Sequence, residues 1–139
     1  MNLPSAWSID HVGIAVTNLK EAIDRYANQA GTTVSLHEKL EQHGVELAFL
    51  NTGGAKIELL MPLRPETPLG RFLAKRGPGL HHICYKVDDI RSELARLNTQ
   101  GVKLIDATPR HGAGGTLIAF LNPASFSGVL TELCEYPAP

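Results

Sequence analysis

Two stretches of this chain are versions of one another, and that duplication limits the folds open to it more than any other feature. His11-Val-Gly-Ile-Ala-Val16 lies over His82-Ile-Cys-Tyr-Lys-Val87 at an offset of 71 residues. The same offset carries Leu19, Ile23 and Tyr26 onto Ile90, Leu94 and Leu97, and Ala48-Phe49-Leu50-Asn51 onto Ala119-Phe120-Leu121-Asn122. Lys56-Ile57-Glu58-Leu59-Leu60 meets Leu130-Thr131-Glu132-Leu133-Cys134 at 74, so three residues have entered one loop. The longer loop runs from Asn122 to Gly128 where the first copy has Asn51 to Gly54, a place where hairpins tolerate insertions.

Within each copy the period of the apolar residues names the elements. Leu19, Ala22, Ile23, Tyr26, Ala27 and Ala30 follow helical spacing, with Asn18 as cap and Glu21 three residues on. In the second copy Asp89 caps a helix carrying Ile90, Leu94 and Leu97 that stops before Gly101. A short strand precedes each helix. Three strand-like runs follow it, at about 33–39, 44–51 and 55–61 in the first copy and about 102–106, 116–122 and 128–134 in the second. The repeating unit is βαβββ, and the expected fold is α+β, two such modules in tandem forming one cupped mixed sheet. The proline-marked segment between them, with Leu69, Phe72 and Leu73 as a short amphipathic piece, reads as a linker with one or two helical turns. With 139 residues, one domain over 1–139 is expected, with module 1 at about 8–62, the linker at about 63–78 and module 2 at about 79–136.

Charge removes several classes of function. Thirteen Lys and Arg stand against fourteen Asp and Glu, so no positive surplus draws the chain to nucleic acid or anionic lipid. No apolar run reaches the roughly 18–20 residues a membrane span needs, and Met1 to Asp10 has no signal-peptide pattern. A cytoplasmic location and no membrane partner are expected. Two cysteines, Cys84 and Cys134, are too few for a disulfide framework and read as packed thiols.

Strand side chains alternate, so one face of the four relevant strands reads His11/Gly13/Ala15, Glu58/Leu60, His82/Cys84/Lys86 and Glu132/Cys134. A lone polar residue on an apolar strand is ordinarily one that has found a hydrogen bond. Two His and two Glu at equivalent places in both copies are different, because a pseudo-twofold pairing would gather them into one cavity. Buried without a cation, the carboxylates would cost several kcal/mol. His11, Glu58, His82 and Glu132 are therefore the expected ligands of one divalent metal. Imidazole and carboxylate suit Zn, Co, Ni, Mn or Fe, without the thiolates of a closed structural zinc site. His81 is expected to face away as a packing or surface residue, and His37, His43 and His111 to be solvated loop residues.

At His11-Val-Gly-Ile-Ala-Val16, Gly79-Leu-His-His-Ile83 and Gly128-Val-Leu-Thr-Glu132 the sequence resembles the vicinal oxygen chelate superfamily. Within it, the chain is similar to the methylmalonyl-CoA epimerase family, nearly end to end. That likeness takes in Pro68-Leu69-Gly70-Arg71-Phe72-Leu73, Val87-Asp88-Asp89-Ile90 and Pro109-Arg110-His111-Gly112-Ala113-Gly114-Gly115. The resemblance implies the paired βαβββ fold, the same four residues as metal ligands, cobalt as the favoured metal, an acyl-CoA substrate and a homodimer. It implies epimerisation at C2 of methylmalonyl-CoA, with Glu132 as the first acid/base. Some epimerases carry a second glutamate two residues beyond a Gly-Val, but after Gly44-Val45 that slot is Leu47, and Glu46 lies one residue earlier on the other face. Glu58 is then the candidate for the second role.

Other readings stay open on the sequence. A glyoxalase-type lyase would use a similar His and Glu set, and a non-catalytic resistance-type binding protein would need no metal. An extradiol dioxygenase ordinarily uses two His and one carboxylate, which the fourth ligand argues against. Gly112 to Gly115 reads either as a lid or as a hairpin turn, and precedes a strand, unlike a nucleotide-binding loop. Arg71, Lys75, Arg76 and Arg110 could meet CoA phosphates or serve as solvated surface.

Overall fold

The computed structural model describes residues 6–139. These group into two compact units, one His11–His82 and the other Ile83–Pro139 with the residues up to Asp10. Strands β1 (Ser8–Ala15) and β5 (Gly79–Lys86) each give residues to both.

In the first unit α1 (Leu19–Ala30) starts as expected: the Asn18 side-chain oxygen accepts from the Glu21 N–H at 3.0 Å, satisfying one of the orphan donors of the first turn. Glu21 spends its carboxylate on Arg25, at 3.0 Å, one turn later. Gly31, at φ 68°, ends the helix in the left-handed region that glycine enters without penalty. Strands β2 (Thr33–Leu40), β3 (Val45–Asn51) and β4 (Lys56–Pro62) follow. Their order is β2-β3-β4-β1, antiparallel except for the parallel pair β4 and β1. Leu19 of α1 packs with Ala48, Leu50 and Leu59 on one face of this sheet. His11, Gly13 and Ala15 alternate onto the other.

The linker is more helical than one or two turns: α2 spans Pro68–Arg76, nine residues. Thr67 caps it, its Oγ1 accepting from the Gly70 N–H at 3.1 Å and donating to the Arg64 carbonyl at 2.8 Å. Pro68 occupies the first turn, where a missing N–H costs nothing.

The second unit repeats the plan with β5, α3 (Ile90–Thr99), β6 (Arg110–His111), β7 (Leu117–Leu121) and β8 (Thr131–Glu135), in the order β5-β8-β7-β6. Asp89 caps α3 by accepting from the Ser92 N–H at 3.2 Å. Ile90, Leu94 and Leu97 pack with Val87, Ala119, Leu121 and Leu133. The expected strand at 102–106 is absent. That segment meets β7 irregularly: Leu104 bridges Leu121, the Ile105 and Asp106 N–H groups both donate to the Phe120 carbonyl at 3.0 Å, and the Asp106 carboxylate takes the Phe120 N–H at 2.8 Å in place of a backbone carbonyl. The chain bulges through 105–109, and regular pairing resumes at Arg110–His111, opposite Ile118 and Leu117. β8 likewise starts later than expected, after a turn through Ser127 at φ 55° and Gly128 at φ 88°. Among the described residues no helix is long and apolar enough to cross a membrane.

Candidate metal centre

Three of the four expected ligands meet in the first unit. β1 supplies His11, β4 supplies Glu58, and the first half of β5 supplies His82; each is 5% exposed or less. His11 Nε2 lies 3.3 Å from Glu58 Oε1, His82 Nε2 lies 3.2 Å from the same oxygen, and the two nitrogens are 3.3 Å apart. Three donor atoms at these mutual spacings suit one shared cation, since each can stand about 2.1 Å from a common centre. The chemistry of the set agrees with its geometry: two neutral imidazoles and one carboxylate are hard-to-borderline donors for a divalent metal.

The electrostatics favour the anion. Burial alone pushes the Glu58 carboxyl up, but the hydrogen bonds with His11 and His82, and the attraction of those rings when protonated, outweigh it and hold the group below its ordinary value. Glu58 is thus in its ligating form at neutral pH. The His11 ring is steadied by Phe49, edge to face with a centroid separation of 4.9 Å.

Two supporting residues escaped the sequence reading. A Cβ placed on Gly13 would lie 2.2 Å from Cε1, 2.3 Å from Nδ1 and 2.8 Å from Nε2 of His82, so the imidazole occupies the space a side chain at position 13 would fill. His81, expected to be a bystander, is half-buried, and its Nδ1 lies 2.9 Å from Nδ1 of His82. The adjacent histidines in the sequence were the only available signal.

The fourth expected ligand, Glu132, is a buried carboxylate on β8. It stands in parallel register with Cys84, two residues beyond His82 along β5, as Glu58 stands in register with Gly13, two beyond His11. The strand pairings therefore obey the same repeat as the residues. Cys84 and Cys134 are buried free thiols, and burial pushes the Cys84 thiol well up, away from the thiolate form.

The remaining candidates fall elsewhere. Leu47 is buried, in register with Leu60 and Glu38, which puts Glu38 on the Glu58 side of the sheet. Glu46 faces the opposite side, 2.7 Å from His37 Nε2. His37 is accordingly an exposed strand residue paired with Glu46 rather than a loop residue, His43 sits in a short 3₁₀ turn, and His111 is exposed but on β6. Gly112–Gly115 forms the turn joining β6 to β7, closed by the Gly112 N–H on the Thr116 carbonyl at 2.9 Å. Arg71 donates to the Glu66 carbonyl, Arg76 lies over Phe72, and Arg110 pairs with Asp106.

Comparison with known proteins agrees with this fold. The family model described as Glyoxalase/Bleomycin resistance protein/Dioxygenase superfamily matches residues 10–120. The mitochondrial methylmalonyl-CoA epimerase of Dictyostelium discoideum is 43% identical over 91% of this chain and 77% of its own. The ethylmalonyl-CoA/methylmalonyl-CoA epimerase of Cereibacter sphaeroides is 39% identical over 90% and 95%. A variant of the Streptomyces coelicolor methylmalonyl-CoA epimerase, solved in complex with 2-nitronate-propionyl-CoA, superposes with a TM-score of 0.89 at 36% identity, covering 94% of this chain and 97% of that one. The chain therefore belongs to the glyoxalase/bleomycin resistance/dioxygenase superfamily and, within it, to the methylmalonyl-CoA epimerase family.

Proposed function

We propose that this protein is a metal-dependent epimerase that interconverts the 2R and 2S forms of methylmalonyl-CoA. The observation that carries the reading is the buried triangle of His11, Glu58 and His82, at 3.2–3.3 Å on every edge. The relatives named above, epimerases of acyl-CoA thioesters by name, supply the substrate class.

His11, Glu58 and His82 hold the metal, and Glu132 completes the set as a fourth ligand. Its burial and its register beside Cys84 support that role, as does its equivalence to Glu58 in the repeat. When bound, a divalent cation offsets the negative charge that develops on the thioester oxygen as the C2 proton leaves. One carboxylate takes the C2 proton from one face, and the second, in its protonated form, delivers a proton to the opposite face of the same carbon. Glu132 is the first acid/base and Glu58 the second. Glu58, held below its ordinary value by two imidazoles, is the weaker base of the pair and serves first as a ligand.

Cobalt is the proposed metal and a homodimer the proposed assembly, with both modules working as one cytoplasmic domain. The test is to incubate metal-loaded protein with (2R)-methylmalonyl-CoA in heavy water. Deuterium at C2 of both epimers is expected. Absence of exchange, accompanied by turnover of a thiohemiacetal, overturns the reading in favour of a glyoxalase-type lyase. Absence of stoichiometric metal favours a binding protein instead.

A further inference from the structure

We propose that His81 is a positioning residue that sets the tautomer and orientation of His82 for metal binding; the inference rests on the metal reading of the site given above. His82 presents Nε2 to His11 and Glu58. Its other ring nitrogen, Nδ1, lies 2.9 Å from Nδ1 of His81. A single proton occupies that contact. For Nε2 of His82 to offer a lone pair to a cation, the neutral ring must carry its proton on Nδ1 and donate it to His81, whose own proton then resides on Nε2. Ligating histidines commonly give their second N–H to a carboxylate or a backbone carbonyl. Here the acceptor is a second imidazole, which fixes the tautomer without adding negative charge beside Glu58.

The acceptor is itself held. The His81 ring meets Phe72 of α2 edge to face, with centroids 4.8 Å apart, and the Arg76 guanidinium lies 5.5 Å from the Phe72 centroid. His82 is confined from the other direction, since its ring fills the space above Gly13. Orientation of the ligand is thus set by one hydrogen bond and one close contact, both made by residues that do not touch the cation.

The experiment compares wild type with His81→Phe, which keeps an aromatic ring against Phe72 but cannot accept, and His81→Asn, whose carbonyl oxygen can replace Nδ1 as acceptor. Cobalt(II) affinity is measured by titration with a competing chelator, and the visible spectrum of the bound cobalt is recorded alongside. His81→Phe is expected to weaken cobalt about 10–100-fold, the range seen when outer partners of metal ligands are lost, and to alter the spectrum. His81→Asn is expected to restore most of the affinity. Equal affinity and spectrum for wild type and His81→Phe overturn the proposal, whereas failure of the wild type to bind cobalt overturns the metal reading beneath it. Nitrogen-15 spectra of the zinc-loaded wild type decide the matter without any substitution. The proposal requires the His82 proton on Nδ1, and a proton on Nε2 overturns it.

Discussion

Replacing Gly13 by alanine tests whether the backbone of β1 was cleared for a ligand on β5. The added methyl would sit 2.2 Å from Cε1 and 2.3 Å from Nδ1 of His82, where ordinary contact begins at 3.4 Å. The ring must therefore retreat by about 1.2 Å, beyond the roughly 0.5 Å that a preorganised site tolerates. Overpacking of this kind costs about 1–3 kcal/mol. If the ring stays, that strain lowers stability; if it swings away, the loss passes to the metal. At about 1.4 kcal/mol per tenfold, the expected fall in cobalt or zinc affinity is roughly five- to a hundred-and-fortyfold. Affinity is read by calorimetry against a chelator, and apo stability by urea unfolding. A double-substitution cycle isolates the cause: with His82→Ala in place the clash is gone, and Gly13→Ala should then cost no stability. If Gly13→Ala alone keeps both its affinity within twofold and its unfolding midpoint, the packing argument is refuted.

Thr67→Ala removes the acceptor for the Gly70 N–H and the donor to Arg64, and should destabilise the protein by about 1–2 kcal/mol in urea unfolding. Trp7→Phe deletes the 2.8 Å bond from the indole N–H to Glu93 and should cost about 1 kcal/mol; an unchanged midpoint would show the bond to be idle. Glu58 has a folded value below its unfolded one, so its contribution to apo stability is full above the unfolded value of about 4.3 and disappears as pH falls through the lower folded value. The gap in stability between wild type and Glu58→Gln should accordingly narrow as pH falls below about pH 4, and a gap that does not narrow there would contradict the assignment.

Much of this was legible in the sequence because strands advertise their faces. His11 and Glu58 interrupt rows of apolar residues at every second position, and their recurrence in the second copy separated them from incidental polar groups. What escaped detection depended on distances between strands. Gly13 looks like any small strand residue until β1 is known to neighbour β5 and the His82 ring is seen above it. Alternation puts His81 on the opposite strand face from His82, but it says nothing of how far a ring can reach around the backbone to its neighbour. The missing strand at 102–106 has a similar origin: Asp106 looks like a turn residue, yet its carboxylate takes a ladder N–H from β7 and displaces the pairing.

His11, Glu58 and His82 are far apart along the chain and are joined only by completed strand pairings. An unfolded polypeptide cannot offer them together, so a cation held there acts on the native state alone. By mass action, free metal at a hundred times its dissociation constant deepens the native well by about 2.7 kcal/mol. A metal bound at this site would therefore couple the stability of the folded molecule, as well as its chemistry, to the surrounding metal supply.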